Sequence, residues 1–291
     1  MSPVTPRRVA LATYEDAPHL AMDEPMLVPA LAALGIEPEP VVWSRADVDW
    51  RAYDAVVIRS CWDYHLRIEE FRAWLARLER EGVRVLNPPA LVRWNADKRY
   101  LLDLSARGVA VIPTMVVSHG RAADVERVIA AEDWSRFVIK PAVSASGYET
   151  HALHAPLDEH ARAIVARVTA LGDTLLQPFA EEVPRQGELS FVFIDGVYSH
   201  AALKRARAGE FRVQVEHGGS VAPHDPAPSL IAQAEHVVRA LDEVPLYARV
   251  DGIARGNALL LMELELIEPN LLLSLAPDAP RRLAQAIAAR L

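Results

Sequence analysis

Short apolar runs alternate with amphipathic stretches through the first 90 residues of the chain. The runs have the length of strands, and in the stretches between them apolar residues recur every three or four positions, which is typical of helices. The predicted strands are residues 8–13, 39–43, 53–59 and 83–86, and the predicted helices are residues 26–34 and 68–81. Because strands and helices alternate, this part predicts an α/β fold with a small parallel sheet covered by helices.

The pattern changes after Pro88 and Pro89. Later strands follow one another more directly, and Asp195-Gly196 is typical of a tight hairpin turn. The chain from residue 188 is therefore predicted to form an antiparallel meander. The predicted helices are residues 96–106, 122–131, 160–171 and 229–241, and the predicted strands are residues 114–117, 137–139, 174–177, 189–194, 197–203, 211–215, 247–253 and 259–267.

Composition and charge exclude several classes of protein. The 291 residues carry a net charge of −8, and the basic residues are scattered, so we expect no nucleic-acid partner. The single cysteine, Cys61, excludes an intrachain disulfide and a zinc site built on paired cysteines. No apolar run approaches the roughly 20 residues that span a bilayer. We therefore expect a cytoplasmic protein without a membrane partner.

Only three of the 31 basic residues are lysines, namely Lys98, Lys140 and Lys204. Lys140 ends an apolar strand and precedes a loop of small residues that contains Ser144, Ser146 and Gly147. A strand-terminal lysine beside exposed backbone N–H groups suits a polyphosphate, although a surface turn explains the pattern equally well. Lys98 opens a helix, and taken alone it fits a solvated position better. The chain contains neither a P-loop nor a dinucleotide fingerprint.

A strand that runs into a proline-containing hinge is the next candidate. Gln177-Pro178-Phe179-Ala180-Glu181 leaves backbone groups unpaired that can bond the edge of an adenine, and Glu188 follows eleven residues after Gln177. A carboxylate at Glu181 or Glu188 can accept hydrogen bonds from ribose hydroxyls. The alternative is an interdomain linker with solvated acids.

Acidic residues cluster on the last two predicted strands. Glu263 and Glu265, two apart on a strand, project to one face, and Asp251 on the preceding strand can lie opposite them. Packed carboxylates repel one another, and Mg²⁺, which prefers oxygen ligands, relieves that repulsion. Glu268 and Asn270 form a second pair on one face, and the sequence leaves open which pair binds the metal.

The loop after the third strand is rich in polar and aromatic groups. Ligands of parallel sheets bind beyond the carboxyl ends of the strands, so this loop is the predicted substrate site. Its candidate residues are Arg59, Ser60, Trp62, Asp63 and Tyr64. Arg59 is expected to pair with a substrate carboxylate. Cys61, His65 and His217 are expected to be structural.

Taken in order from about Arg93 to Leu273, these features resemble the ATP-grasp superfamily. Glutathione synthetase, D-alanine–D-alanine ligase and the ligases that add glutamate to a ribosomal protein have the same succession of parts. The resemblance implies an N-terminal substrate-side α/β domain (residues 1–92) and two α+β lobes that clasp the nucleotide. The first lobe, residues 93–177, would carry the lid loop, and the second, residues 178–291, would carry the metal site.

The resemblance also implies roles for individual residues. Lys98 and Lys140 would bind the phosphates of ATP, and Ser144, Ser146 and Gly147 would belong to the lid. Gln177, Phe179 and Ala180 would line the adenine, with Glu181 or Glu188 on the ribose. Arg212 would support the transferred phosphoryl group and the acyl substrate, with Lys204 or Arg205 as the second choice. The metal ligands would be Asp251, Glu263 and Glu265.

The terminal motif departs from the family pattern, in which Glu-x-Asn is followed by a small-residue turn. Here Glu263-x-Glu265 is followed by Ile267-Glu268-Pro269, which is similar to the cyclising ligases of the cycloserine pathway. The resemblance thus implies an ATP- and Mg²⁺-dependent carboxylate–amine ligase that acts through an acylphosphate on a small amino-acid-like substrate. A phosphotransferase and a non-catalytic ATP-binding module remain the alternatives, and homo-oligomerisation stays open.

Overall fold

A computed structural model describes residues 6–213 and 217–291 of the protein. The N-terminal part forms a four-stranded parallel sheet in the order β2-β1-β3-β4, as the alternating pattern predicts. Its strands are β1 (Arg7–Thr13), β2 (Ile36–Val42), β3 (Ala55–Ser60) and β4 (Val85–Leu86). Its helices are α1 (Leu27–Ala32) and α2 (Ile68–Arg80). The next two helices are α3 (Pro89–Asn95) and α4 (Tyr100–Ala106), and α4 packs in a different cluster, with Leu189 and Phe191. All six residues of β3 are buried, because helices cover both faces of the sheet.

Helix α2 covers one face of this sheet and the C-terminal helix covers the other. Phe71, Trp74 and Leu75 of α2 pack with Val56 and Ile58 of β3. On the opposite face, a cluster that includes Val9, Val57 and Leu27 contains Leu283 and Ile287 of α9 (Ala279–Ala288). The end of the chain thus contributes to the core of the N-terminal sheet. The boundaries of the three predicted domains stay predictions.

Two antiparallel sheets form the rest of the molecule. The smaller one has the order β5-β8-β6-β7 and packs against α5 and α6. Its elements are β5 (Met115–Val117), α5 (Ala122–Ala131), β6 (Arg136–Pro141), β7 (His151–His154), α6 (Glu159–Leu171) and β8 (Thr174–Pro178). Within the described residues, no helix is long and apolar enough to cross a membrane.

The larger antiparallel sheet has the order β11-β10-β9-β12-β13 and packs against α8. Its elements are α7 (Glu182–Gln186), β9 (Glu188–Ile194), β10 (Val197–Arg205), β11 (Ser220–His224), α8 (Pro228–Arg239), β12 (Tyr247–Arg255) and β13 (Ala258–Glu265). The Asp195-Gly196 hairpin joins β9 and β10, and both residues have positive φ, as that turn type requires.

Some local predictions are corrected. The predicted helix at residues 96–106 begins only at Tyr100, and a separate helix, α3, ends just before it at Asn95. Tertiary bonds fix the residues around this break: Asn95 bonds the backbone of Leu264 and Leu266, and the Lys98 N–H donates to Ala142 O at 2.7 Å. Of the predicted strand at 211–215, residues 211–213 form no strand, and Gln214 and Val215 lie outside the described residues. The patterns did not predict β7, β11, α3, α7 or α9.

Candidate active site

A large cavity is lined by both antiparallel sheets and by loops of the N-terminal part. The predicted site residues that line it are Trp62, Tyr64, Lys98, Lys140, Ser144, Ser146, Gly147, Gln177, Phe179, Ala180, Glu188, Lys204, Arg212, Asp251, Glu263 and Glu265. Those that do not line it are Arg59, Ser60, Asp63, Glu181 and Arg205. We call Lys98, Lys140, Gln177, Phe179 and Ala180 the lysine–hinge wall. We call Met22, Trp62, Tyr64, Glu268 and Asn270 the N-terminal wall.

The three lysines of the chain all line this cavity, and each is buried, with 9%, 9% and 8% exposure for Lys98, Lys140 and Lys204. Lys98 pairs with Glu263, and Lys204 lies 3.3 Å from Glu188 and 3.1 Å from Asp251. Lys140 has no anionic partner among the described residues. Burial and the positive charge of Lys98 lower the pKa of Lys140 to about 7. An anion bound in the cavity would raise the pKa of Lys140 again and favour its charged form. Lys140 is therefore suited to bind an anion.

The acidic residues of β12 and β13 lie on one face, as predicted, because the strand register pairs Asp251 with Glu263 and Arg249 with Glu265. Asp251 is already occupied. Its carboxylate accepts from Ser190 Oγ at 2.6 Å, from Lys204 Nζ at 3.1 Å and from Arg249. Burial opposes ionisation, but Arg249 and Lys204 outweigh it and hold the pKa of Asp251 well below its usual range. Asp251 is therefore ionised and already bonded by three donors, and its assignment as a metal ligand stays a prediction.

Glu263 and Glu265 are more available for a cation. They are partly exposed to the cavity, at 25% and 29% of their side chains, and pair with Lys98 and Arg249. Among the described residues, no three His, Cys, Asp or Glu side chains converge as a ready-made ligand set. The two carboxylates on one strand face nevertheless provide the oxygen donors that Mg²⁺ prefers.

Glu268 is a cavity carboxyl group that lies close to the negative charge of Glu265. Burial first, and then the charge of Glu265, raise the pKa of Glu268 to about 8. The carboxylate of Glu268 has no cationic partner among the described residues. A cation bound beside it would lower this pKa again.

The first residues of the hinge segment 177–181, which starts within β8, line the cavity. Gln177 Nε2 donates to Thr114 Oγ1 at 2.9 Å, and the rings of Phe179 and Phe211 lie 5.9 Å apart, edge to face. Glu181 is exposed and pairs with Arg136 at 3.1 Å, so it does not face the cavity. Of the two predicted ribose carboxylates, Glu188 lines the cavity and Glu181 does not. Burial raises the pKa of Glu188, and Lys204 opposes that rise.

The small-residue loop folds over the cavity and contacts the N-terminal part. Ser146 and Gly147 both have positive φ, and Ser144 Oγ donates to Pro141 O at 3.1 Å. The ring of Tyr148, just after the loop, lies 5.2 Å from that of His65. The loop therefore bridges the two sides of the cavity, which is the position that a lid needs.

At the end of β3 and in the loop that follows it, some side chains line the cavity and others are buried in the core. Trp62 and Tyr64 line the cavity, but Arg59 is fully buried. The Arg59 guanidinium donates to both carboxylate oxygens of Glu24, at 2.5 and 2.7 Å, and to Pro269 O at 2.8 Å. This corrects the expectation that Arg59 pairs with a substrate carboxylate, because Glu24 already occupies it.

Two further residues of that loop also have structural partners. Ser60 Oγ accepts from the Ala21 N–H at 3.1 Å. Asp63 accepts from Trp43 Nε1 at 2.8 Å and from Arg67 at 3.3 Å. Both are therefore corrected from substrate contacts to residues that fix the loop.

Among the predicted basic groups, Arg212 and Lys204 line the cavity and Arg205 does not. Lys204 and Arg205 are neighbours on β10, so their side chains point to opposite faces of the sheet, and Arg205 is exposed. This corrects the choice of Arg205. Arg212 pairs with Glu210 at 2.8 Å, and the three residues after Val213 lie outside the described part of the chain.

The chain is similar in sequence and in structure to known proteins. The cycloserine biosynthesis protein DcsG of Streptomyces lavendulae is 38% identical, over 97% of this chain and 98% of the relative. The crystal structure of D-cycloserine synthetase DcsG superposes with a TM-score of 0.89 at 36% identity, over 97% and 99% of the two chains. A RimK-domain ATP-grasp protein from Sphaerobacter thermophilus, 18% identical, has the same fold, with a TM-score of 0.71 over 96% and 98% of the chains. The chain belongs to the family of DcsG, and its fold is that of the ATP-grasp ligases.

Two more comparisons extend this assignment. A family model for the N-terminal domain of D-cycloserine synthetase matches residues 9–87 of this ATP-grasp ligase. The D-alanine–D-alanine ligase of Bacillus anthracis, solved with ATP, has the same fold at 13% identity, with a TM-score of 0.68 over 97% and 96% of the chains. The predicted fold and the predicted class of enzyme, an ATP-dependent C–N ligase, are confirmed.

Sequence reasoning missed two buried polar residues that build the site of this ATP-grasp ligase. Arg249 lines the cavity and bonds Asp251 at 2.9 Å, Glu265 and Asn270 O. Its position two residues before Asp251 on a strand was an available signal, because the two side chains share a face. Asn95 fixes the backbone of β13, and only the tertiary structure reveals that role.

Proposed function

We propose that this ligase phosphorylates a carboxylate of a small amino-acid-like substrate and then couples its carbonyl carbon to an amine. A carboxylate oxygen attacks the γ-phosphorus of ATP, the bond to ADP breaks, and an acylphosphate forms. The amine then attacks the carbonyl carbon, phosphate leaves with its bridging oxygen, and the nitrogen loses a proton. The observation that carries this proposal is the convergence of three buried lysines, Arg212 and Arg249 on one cavity that the N-terminal wall also lines.

The protein's part in this reaction is to position charges, because the substrate carboxylate itself is the nucleophile. Lys98 and Lys140 bind the phosphates, and Arg212 supports the transferred group. Gln177, Phe179 and Ala180 hold the adenine, and Glu188 holds the ribose. Acylphosphates hydrolyse readily, so the loop at Ser144, Ser146 and Gly147 excludes water during the reaction.

We propose that the metal binds Glu263 and Glu265, whose carboxylates face the cavity, with Asp251 opposite Glu263 on β12 as the third predicted ligand. A magnesium ion bound there would offset negative charge on the phosphates. In its absence, Lys98 and Arg249 hold the two carboxylates in place.

The substrate class follows from the relative. D-cycloserine, the product in that protein's name, is an amino-acid derivative closed into a ring through a C–N bond to its carbonyl carbon. At 38% identity over 97% of the chain, related chemistry is the best-supported choice here. D-cycloserine and small serine derivatives are therefore the first compounds to test.

The test is a screen for stimulated ADP release with small D- and L-amino acids and O-substituted serines, in the presence of ATP and Mg²⁺. Hydroxylamine in the mixture should trap the acylphosphate as a hydroxamate. An amide product together with hydroxamate supports the proposal. A phosphoester product would identify a phosphotransferase instead, and ATP binding without turnover on any compound would indicate a binding module.

A further inference from the structure

Glu268 differs from every other acid that lines the cavity. Glu263 pairs with Lys98, Glu265 with Arg249, and Glu188 with Lys204, while Asp251 pairs with both Arg249 and Lys204. Glu268 lines the same cavity and forms no salt bridge among the described residues, because Lys98 and Arg249 act on it only from beyond salt-bridge distance. A partly buried carboxylate without a partner is costly, and a cationic group of a ligand removes that cost.

The backbone around Glu268 is held from several directions. Trp62 Nε1 donates to Glu268 O at 3.1 Å, Arg59 donates to Pro269 O at 2.8 Å, and Arg249 donates to Asn270 O at 2.9 Å. Trp62 and Arg59 belong to the N-terminal part, and Arg59 is itself fixed by its buried pair with Glu24. The Glu268 side chain therefore starts from a fixed backbone on the substrate side of the cavity.

The neighbouring Asn270 argues against Mg²⁺ as the cation at Glu268. Asn270 Oδ1 accepts from the Leu272 N–H at 2.9 Å, and Asn270 Nδ2 contacts the sulfur of Met22 at 2.7 Å. The amide oxygen that a Glu268 and Asn270 metal pair would need already has a backbone partner. Glu268 is then a single carboxylate, which suits a compact ammonium better than an ion that needs several oxygen ligands.

We propose that Glu268 binds the protonated amino group that the amino-acid-like substrate keeps through the reaction. This inference rests on the proposed function, since it names the group by which that substrate is recognised. The lysines and arginines of the cavity suit phosphates and a carboxylate, and the other acids are paired with them, so Glu268 distinguishes an amino acid from a simple carboxylic acid. Trp62 and Tyr64, on the same wall, enclose the remaining part of a small substrate.

The test uses D-cycloserine and its amine-free ring, isoxazolidin-3-one, as a matched pair of probes. Their affinities for the protein with ADP and Mg²⁺ are measured by calorimetry for the wild type, Glu268→Gln and the exposed control Glu243→Gln. The wild type and the control should bind D-cycloserine about 10- to 100-fold more tightly than the amine-free ring. Glu268→Gln should lose this preference, while its affinity for ATP and its Mg²⁺ requirement stay unchanged.

Other outcomes overturn the inference. Equal affinity of the wild type for the two probes, or an undiminished preference in Glu268→Gln, would show that Glu268 does not recognise the amine. A raised Mg²⁺ requirement in Glu268→Gln with unchanged D-cycloserine affinity would make Glu268 a metal ligand. Failure of the wild type to bind ATP would instead refute the proposed function, and this inference with it. ATP turnover without D-cycloserine binding would refute the inference and leave the ligase.

Discussion

The two walls of the cavity are built in different ways. In the lysine–hinge wall, Lys140 and the lid loop are neighbours in sequence, and Gln177, Phe179 and Ala180 are almost consecutive. The N-terminal wall is joined by contacts between distant residues, such as Trp62 to Glu268 and Arg59 to Pro269, which are 206 and 210 positions apart. Local motifs therefore single out most of the lysine–hinge wall, with Lys98 as the exception. For the N-terminal wall they single out separate segments, and only tertiary packing shows that these segments meet.

The largest effect is expected for Arg59→Met, which disrupts the packing behind the N-terminal wall. It leaves the Glu24 carboxylate buried without its partner, so the free energy of unfolding should fall by about 3–5 kcal/mol in chemical denaturation. The double variant Glu24→Leu, Arg59→Met removes both charges and should regain much of that loss. A loss below about 1 kcal/mol in the single variant would show that the pair does not hold the wall together.

The corresponding change in the lysine–hinge wall is Lys140→Ala. Because Lys140 is a buried cation with no anionic partner among the described residues, it is free for the phosphates, and ATP turnover should fall about 100- to 1000-fold. Folding should be unaffected, in contrast to Arg59→Met. Arg127→Ala, on the exposed surface, is the control and should keep full turnover. Turnover within a few-fold of wild type would remove Lys140 from the site.

These contrasts show what the sequence could predict. Lys140 followed by small residues, and Gln177-Pro178-Phe179, carry enough local pattern to single out residues that line the cavity. Arg59 was assigned to substrate because its partner, Glu24, lies on another segment and cannot be recognised from spacing. The partners of Asp251 could not be recognised either, since Lys204 and Ser190 reach it only across the sheet. Alternation likewise predicted the parallel sheet, but α9, which covers one of its faces, comes from the far end of the chain.

A pH profile of ATP binding separates charge from packing at the lysine–hinge wall. The pKa of Lys140 is lowered to about 7 in the ligand-free protein, so the charged form is lost as pH rises above 7. ATP binding favours the charged form, and affinity should therefore fall by up to about tenfold per pH unit above 7. Lys140→Arg keeps its charge and should give a flatter profile. An equally steep fall in that variant would place the titration elsewhere.

The smallest expected effect concerns the N-terminal wall. Trp62→Phe removes the hydrogen bond to Glu268 O but keeps an aromatic ring, so D-cycloserine affinity should fall about fivefold, the equivalent of about 1 kcal/mol. Trp94→Phe, which removes the bond to Asp103 outside the cavity, is the matched control and should leave affinity unchanged. Equal affinities for both variants would mean that Glu268 needs no support from Trp62.

The central claim, that ATP activates a carboxylate, is tested most directly by oxygen transfer. The amino acid that most stimulates ADP release is labelled with ¹⁸O in its carboxylate, and the released phosphate is analysed by mass spectrometry. The account predicts one ¹⁸O atom in each phosphate released, because the bridging oxygen of the acylphosphate leaves with phosphorus. Phosphate free of label, with both labelled oxygens retained in the product, would contradict it.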